Sequence, residues 1–215
     1  TQEVEGKLQS REVFSLLVQK AWECGDPGII FLDRINRDNP TTDQGMIEST
    51  NPCGEQPLLP YEACNLGSIN LAKFYAPDQE DCIDWQGLKE NIHLGIHFLD
   101  NVIDASKYPL AQVREKVELN RKVGLGVMGW ADLLFQLEIP YNSYQAINLA
   151  ERVMDFIQIE SRSASRNLAQ ERGPFPAYEN SIYAQKNMGP YRNATTTTIA
   201  PTGSLSILAG CSSGI

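Results

Sequence analysis

The sequence predicts an α/β fold in which parallel strands alternate with helices. Three observations carry that reading. Short β-branched or apolar runs recur at residues 29–32, 65–71, 123–128 and 194–200. Between them lie stretches whose apolar positions repeat at helical spacing. No internal repeat, low-complexity stretch or linker rich in Pro, Gly and Ser divides the chain, so residues 1–215 read as one domain or part of one.

In chain order, Ser10 is a candidate cap for a helix with Val13, Leu16, Leu17 and Ala21 on one side, and Gly25-Asp26-Pro27-Gly28 stops it. Ile29-Ile30-Phe31-Leu32 suits a buried strand. From Asp33 to Thr50 the chain is polar and reads as a long loop that delivers residues toward Asn51. Residues 65–71 form the next expected strand. Asp84 then begins a helix carrying Leu88, Ile92, Ile96, Leu99 and Ile103 on one face. A glycine-rich strand at 123–128 leads into a helix from Trp130 to Leu137. Ser143 caps a long helix with Ile147, Val153, Met154, Ile157 and Leu168, which Gly173 and Pro174 end. The threonine-rich run 194–200 reads as a strand, with a helix starting after Pro201-Thr202-Gly203-Ser204.

Composition narrows the function classes. Acidic side chains number 27 against 18 basic, a net charge of -9, which argues against nucleic acid or an anionic membrane as partner. Any phosphate must be held locally. No apolar run approaches the roughly 20 residues needed to span a bilayer. Five cysteines without a C-x-x-C pair fit neither a disulfide scaffold nor a structural zinc site, and point to a reducing cytoplasmic setting. The absence of an initial Met and the abrupt ending Cys211-Ser212-Ser213-Gly214-Ile215 read as cuts, leaving an internal fragment.

Several motifs offer chemistry. His93 and His97 stand four apart on one helix face, but no Glu follows His93 in the H-E-x-x-H manner, so no metal site is expected and both read as structural. Gly124-Leu125-Gly126-Val127-Met128-Gly129 matches G-x-G-x-x-G, a dinucleotide fingerprint. Its lead-in Asn120-Arg121-Lys122 is a poor strand, and close strand-to-helix approach explains the glycines equally. Pro201, Thr202, Gly203, Ser204 and Leu205 can be either an anion cradle of backbone N–H groups or an ordinary helix start. Cys53 is the sharpest feature, because Pro52 and Gly54 hold a thiol close to the Asn51 amide and the Glu55 carboxylate. Such a trio can take a hydrogen atom, orient a hydroxyl and accept a proton, whereas the plainer reading is a buried cysteine in a turn. Cys64 is a candidate redox thiol, while Cys24 and Cys82 lie in contexts without a role.

The run Asn51-Pro52-Cys53-Gly54-Glu55-Gln56-Pro57-Leu58-Leu59-Pro60-Tyr61-Glu62, continued by Cys64-Asn65-Leu66-Gly67-Ser68-Ile69-Asn70-Leu71, resembles the active-site finger loop and following strand of ribonucleotide reductase large chains. Asn120 to Gly129, Arg172-Gly173-Pro174-Phe175-Pro176 and Ala200-Pro201-Thr202-Gly203-Ser204 follow in the family's order, so the resemblance covers almost the whole chain. Asn-Pro-Cys-Gly-Glu-Gln and Ala-Gly-Cys-Ser-Ser-Gly-Ile look like the adenosylcobalamin-dependent class.

The resemblance implies part of a ten-stranded α/β barrel, and reduction of a ribonucleoside di- or triphosphate to its 2′-deoxy form. It implies Cys53 as the thiyl radical that takes the C3′ hydrogen, Glu55 as base for the 3′-hydroxyl and Asn51 as a hydrogen-bond partner of the sugar. Asn51, Pro52, Cys53, Gly54 and Glu55, with Pro201, Thr202, Gly203, Ser204 and Leu205, would line the substrate. Cys64 would be half of the dithiol that supplies two electrons, its partner lying in the remaining parts of the reductase chain, with a thioredoxin-like reductant restoring the pair. Adenosylcobalamin is the implied cofactor, and the G-x-G-x-x-G stretch becomes a barrel strand and turn with no nicotinamide. Two rivals stand beside this reading. One is a large chain served by a separate dimetal subunit, and the other is a non-catalytic split-gene fragment that binds nucleotide. The isolated piece, with open sheet edges, is expected to be aggregation-prone or to depend on the missing parts.

Overall fold

The computed structural model describes residues 6–215, apart from the side chain of Glu80. Its elements in chain order are α1 (Ser10–Cys24), α2 (Leu32–Arg37), β1 (Ser49–Thr50), β2 (Pro57–Leu58), β3 (Asn65–Asn70), α3 (Trp85–Ala105), α4 (Ala111–Asn120), β4 (Val123–Met128), α5 (Trp130–Gln136), α6 (Tyr144–Arg172), α7 (Ile182–Gln185) and α8 (Gly203–Ala209).

The centre is a parallel pair. β3 and β4 run in register from Asn65 opposite Val123 to Asn70 opposite Met128. All six residues of β4 are buried, as expected of a parallel strand covered on both faces. Residues 195–198 run parallel along the other edge of β4, where Leu125 N donates to Thr196 O at 2.9 Å and Thr198 N to Leu125 O at 3.2 Å. The expected strand at 194–200 is therefore reduced to a single bridge, Leu125 with Thr197, inside an extended segment. Chain order is strand, helices, strand, helices, extended segment, which is the predicted parallel α/β alternation. Among the described residues the strands do not close into a barrel.

Helices α3 and α6 pack on this unit and on each other. Asp84 caps α3 by accepting from Gly87 N at 2.8 Å, and Leu88, Ile92, Ile96, Leu99 and Ile103 are all buried, as their spacing requires. Ser143 caps α6 by accepting from Ala146 N at 3.2 Å. Val153, Ile157 and Leu168 join the core, but Ile147 is exposed. A smaller cluster of Phe175, Ala177, Tyr191 and Ala194 underlies the return from α6 to the sheet.

The first fifty residues depart most from expectation. Helix α1 forms and ends at Gly25, yet Gln9 rather than Ser10 is its cap position, and none of its residues is buried. Residues 29–32 are not a buried strand: Ile29, Ile30, Phe31 and Leu32 are exposed, and Leu32 opens α2. An apolar run becomes a strand only where a neighbour supplies the ladder, and no described strand lies beside it. The expected loop at 33–50 contains α2, a turn of 3-10 helix at Thr42–Gln44 and β1. Polar side chains organise it. Asn36 Oδ1 accepts from Ile47 N at 2.7 Å while its Nδ2 donates to Ile47 O at 2.9 Å, and fully buried Asn39 accepts from Thr41 N at 3.0 Å and donates to Gly45 O at 3.1 Å.

Candidate active site

β1 and β2 form a short antiparallel hairpin, Ser49 opposite Leu58 and Thr50 opposite Pro57, whose tip carries Asn51 to Gln56. The tip is tied across its base: Asn51 N donates to Gln56 O at 3.1 Å, and Gln56 N donates to Asn51 Oδ1 at 3.0 Å. Asn51 O accepts from Gly54 N at 3.0 Å, closing a turn with Pro52 and Cys53 at its centre, where the fixed φ of proline is favourable. Gly54 has φ +86°, a conformation that other side chains occupy only with strain. Sequence order and turn geometry thus hold Asn51, Cys53 and Glu55 in one small loop.

The three differ in environment. Cys53 is exposed at the apex of the turn in this chain, whereas the plainer reading expected a buried cysteine. Glu55 is half-buried, and its Oε2 is a buried acceptor with no hydrogen-bond partner among the described residues. Such an oxygen is costly to leave unpaired. Asn51 uses its side-chain oxygen to close the loop, while its Nδ2 makes no hydrogen bond among the described residues. The loop is anchored to the sheet layer by Thr198, whose Oγ1 donates to Glu55 O at 3.1 Å.

Thr198 lies just before Pro201, Thr202, Gly203, Ser204 and Leu205, so the same extended segment supports the hairpin tip and leads into the start of α8. Thr202 has φ +58° and its Oγ1 accepts from Gly214 N at 2.7 Å. Pro201, Gly203, Ser204 and Leu205 are exposed. The tail that follows α8 folds back on the junction of β4 and α5, with Ser212 N donating to Asp132 Oδ2 at 2.7 Å.

Cys64 lies at the entry to β3, half-buried, and burial pushes its thiol up to about 12 against the partly compensating charge of Lys122. Beside it is a cluster the sequence reading did not single out. Glu62 and Lys122 form a buried ion pair at 2.7 Å, and Asn120 Nδ2 donates to Glu62 Oε1 at 2.7 Å. The signal available was a lysine immediately ahead of an apolar parallel strand, a place where an ammonium group cannot reach water.

The G-x-G-x-x-G stretch serves packing. A Cβ at Gly126 would lie 2.6 Å from Thr198 O, and one at Gly124 would lie 2.8 Å from the side chains of Leu66 and Thr198. Gly129 N donates to Ser212 O at 2.7 Å, which ties the turn after β4 to the C-terminal tail. The histidines have protein partners: His93 Nε2 pairs with Glu160 Oε2 at 2.9 Å and His97 Nε2 with Arg172 Nη2 at 2.8 Å. Among the described residues no group of three or more His, Cys, Asp or Glu side chains stands close enough to hold a metal ion, and no helix is long and apolar enough to cross a membrane.

Comparison with known proteins decides the family, because residues 1–190 match the family described as ribonucleotide reductase, barrel domain. The chain belongs to the ribonucleotide reductase family. It is 53% identical over 215 residues to the vitamin B12-dependent ribonucleoside-diphosphate reductase of Thermoplasma acidophilum, covering all of this chain and 28% of that relative. A reductase of the same description from Mycobacterium tuberculosis is 49% identical over 215 residues, with 30% of it covered. The chain thus spans less than a third of the curated relatives it matches most fully. Among solved structures, the class Id ribonucleotide reductase alpha subunit of Actinobacillus ureae superposes with TM-score 0.79 at 26% identity, over 95% of this chain and 38% of that one.

Proposed function

We propose that this chain is part of the catalytic barrel domain of an adenosylcobalamin-dependent ribonucleoside-diphosphate reductase, which converts ribonucleotides to 2′-deoxyribonucleotides by thiyl-radical chemistry. The observation that carries this reading is the hairpin tip: an exposed Cys53 thiol is held two residues from a Glu55 carboxylate whose buried Oε2 has no partner. That open acceptor is the kind of group a substrate hydroxyl would satisfy. The names of the relatives at 53% and 49% identity support both the diphosphate substrate and the cobalamin class.

In this reading β3, β4 and the extended segment 195–198 are neighbouring strands of a ten-stranded barrel, completed by the remaining parts of a longer chain. Residues 1–215 are one partial domain of it. Cys53, as a thiyl radical, removes the hydrogen at C3′, and Glu55 takes the proton of the 3′-hydroxyl while the Asn51 amide orients the sugar. Loss of the 2′-hydroxyl as water follows, with two electrons from the dithiol of which Cys64 is one half. Pro52 and Gly54 shape the loop around the ribose, and Pro201, Thr202, Gly203, Ser204 and Leu205 hold the phosphates through backbone N–H groups and hydroxyls. A local cradle lets an acidic protein bind a polyanion.

The surroundings of Cys53 fit the cofactor. Among the described residues the thiol is exposed and a Cβ built on Gly54 meets nothing within 4 Å, so nothing in this chain blocks the apex, where the cofactor would stand before Cys53. Adenosylcobalamin supplies the radical by homolysis when bound. A thioredoxin-like dithiol in a reducing cytoplasm would regenerate Cys64.

The test is deoxynucleotide formation by the full-length reductase that contains this chain, given a ribonucleoside diphosphate, a dithiol and adenosylcobalamin, with no second subunit. Turnover is expected in the wild type and none in Cys53→Ala. Activity that appears only on adding a dimetal radical subunit would retain the family and overturn the cobalamin class. Inactivity under both conditions would favour the non-catalytic reading.

A further inference from the structure

Four threonines stand in a row at 195–198, and their hydroxyls do not all serve the same neighbours. Thr195 Oγ1 donates to Val123 O at 3.2 Å, Thr196 Oγ1 pairs with Ser161 Oγ at 2.9 Å, and Thr197 Oγ1 donates to Gln158 Oε1 at 2.8 Å. Those three tie the segment to β4 and α6. The fourth, Thr198, reaches the hairpin instead and donates to Glu55 O at 3.1 Å. Among the described residues this is the only hydrogen bond from outside the hairpin to its tip, residues 51–56.

Thr198 is itself held by three successive residues of β4. Its N donates to Leu125 O at 3.2 Å, its methyl group occupies the space that a Cβ at Gly124 would need, and its carbonyl lies 2.6 Å from where a Cβ at Gly126 would stand. Thr198 is 8% exposed and β-branched, so its side chain has little rotational freedom. A valine would fill a similar volume and suits an extended segment as well, so packing does not call for the hydroxyl. Its acceptor does. The Glu55 carbonyl belongs to the planar peptide that joins Glu55 to Gln56, and fixing that plane constrains the direction in which the Glu55 side chain leaves the backbone. On the other side of Glu55 stands Gly54, whose backbone is the most permissive of any residue.

We propose that Thr198 is a positioning residue for the Glu55 carboxylate: seated by Gly124, Leu125 and Gly126, it holds the hairpin tip so that Glu55 meets the substrate hydroxyl in one orientation. The inference rests on the reading of Glu55 as the base. It gives the two strand glycines a purpose in the reaction, because they form the seat that Thr198 occupies. A side chain that acts on the reaction only through Glu55 should lose its influence once the Glu55 carboxylate is removed.

The experiment is a double-mutant cycle in the full-length reductase, with Thr198→Val and Glu55→Gln made singly and together. Thr198→Val alone should lower kcat by about tenfold with KM for the ribonucleoside diphosphate unchanged, since misplacing a reacting group by roughly 1 Å can cost about 100-fold. In the Glu55→Gln background the same change should lower kcat by less than about twofold, because the group that Thr198 positions is already gone. A merely structural role would lower kcat by the same factor in both backgrounds. Thr198→Ser, which keeps the hydroxyl, should stay within about threefold of wild type. Equal factors in the two backgrounds, or an unchanged kcat in Thr198→Val, would overturn the inference. Should Thr198→Val not fold, Thr198→Ala compared with Thr198→Ser isolates the same hydroxyl in the same cycle. Wild-type kcat in Glu55→Gln would instead remove the reading of Glu55 as the base, and this inference with it.

Discussion

Glu55 and Gly126 show how much a single position can carry in this chain. Glu55 presents a buried oxygen that nothing among the described residues satisfies, while Thr198 holds its backbone carbonyl. In the full-length reductase Glu55→Gln keeps the shape but removes the proposed base, so kcat should fall by about 100-fold or more, within the range general-base catalysis contributes. Thermal stability should be unchanged or slightly raised; an unchanged kcat would exclude the role. Gly126 packs against backbone, since an added Cβ meets Thr198 O at 2.6 Å, and a carbonyl in a paired segment cannot swing aside as a side-chain tip can. Gly126→Ala should therefore cost about 1–3 kcal/mol, the usual range for overpacking. Because Thr198 also supports the hairpin tip, the same variant should lower activity more than its melting temperature suggests.

At the scale of elements, the contact between α3 and α6 contains a polar tie as well as the apolar seam. Glu160 on α6 accepts from His93 at 2.9 Å and faces Lys89 at 3.2 Å, both on α3. Burial works to raise the Glu160 carboxyl, but the hydrogen bonds from His93 and Lys89 outweigh it and hold the group below its ordinary range. A carboxylate whose folded pKa is depressed stabilises the fold above the unfolded value, about 4.3 for glutamate, and loses that contribution as pH falls through the folded value. Melting of wild type and Glu160→Gln should therefore differ near pH 7, with the wild type more stable, and converge as the pH drops below that range. A gap independent of pH would assign the effect to packing alone. The helices were the most legible part of the sequence, because Asp84 and Ser143 combine a cap with an uninterrupted apolar period. Helix α4 escaped notice: its Gln, Arg, Glu and Lys positions leave only Val117 and Asn120 buried, too few to show a periodic face.

Considered whole, the molecule leaves apolar surface open. Phe14, Leu16 and Trp22 of α1 are exposed, and a hollow lined by Leu71, Val127, Trp130, Met154, Ile199 and Ile215 lies against the sheet layer. With β3 paired on one edge only among the described residues, the 215-residue segment made alone should self-associate, as exposed strand edges and large apolar patches do. Light scattering and a melting curve check this. A monodisperse, cooperatively melting monomer would contradict it.

By itself the sequence determined the parallel α/β alternation, the capped helices α3 and α6, and the membership of Asn51, Cys53 and Glu55 in one loop. Each of these rests on local physics: periodicity, capping side chains, or separation along a few residues of a proline- and glycine-constrained turn. Tertiary structure alone decided three other matters. Residues 29–32 did not become a strand, because no described neighbour offers a ladder. The side chains and carbonyl that fill the space beside glycines 124 and 126 come from Leu66 and Thr198, and only the packed structure shows them. The burial of Lys122 against Glu62 next to Cys64 depends on two segments some sixty residues apart meeting in register, and nothing in either segment alone encodes that meeting.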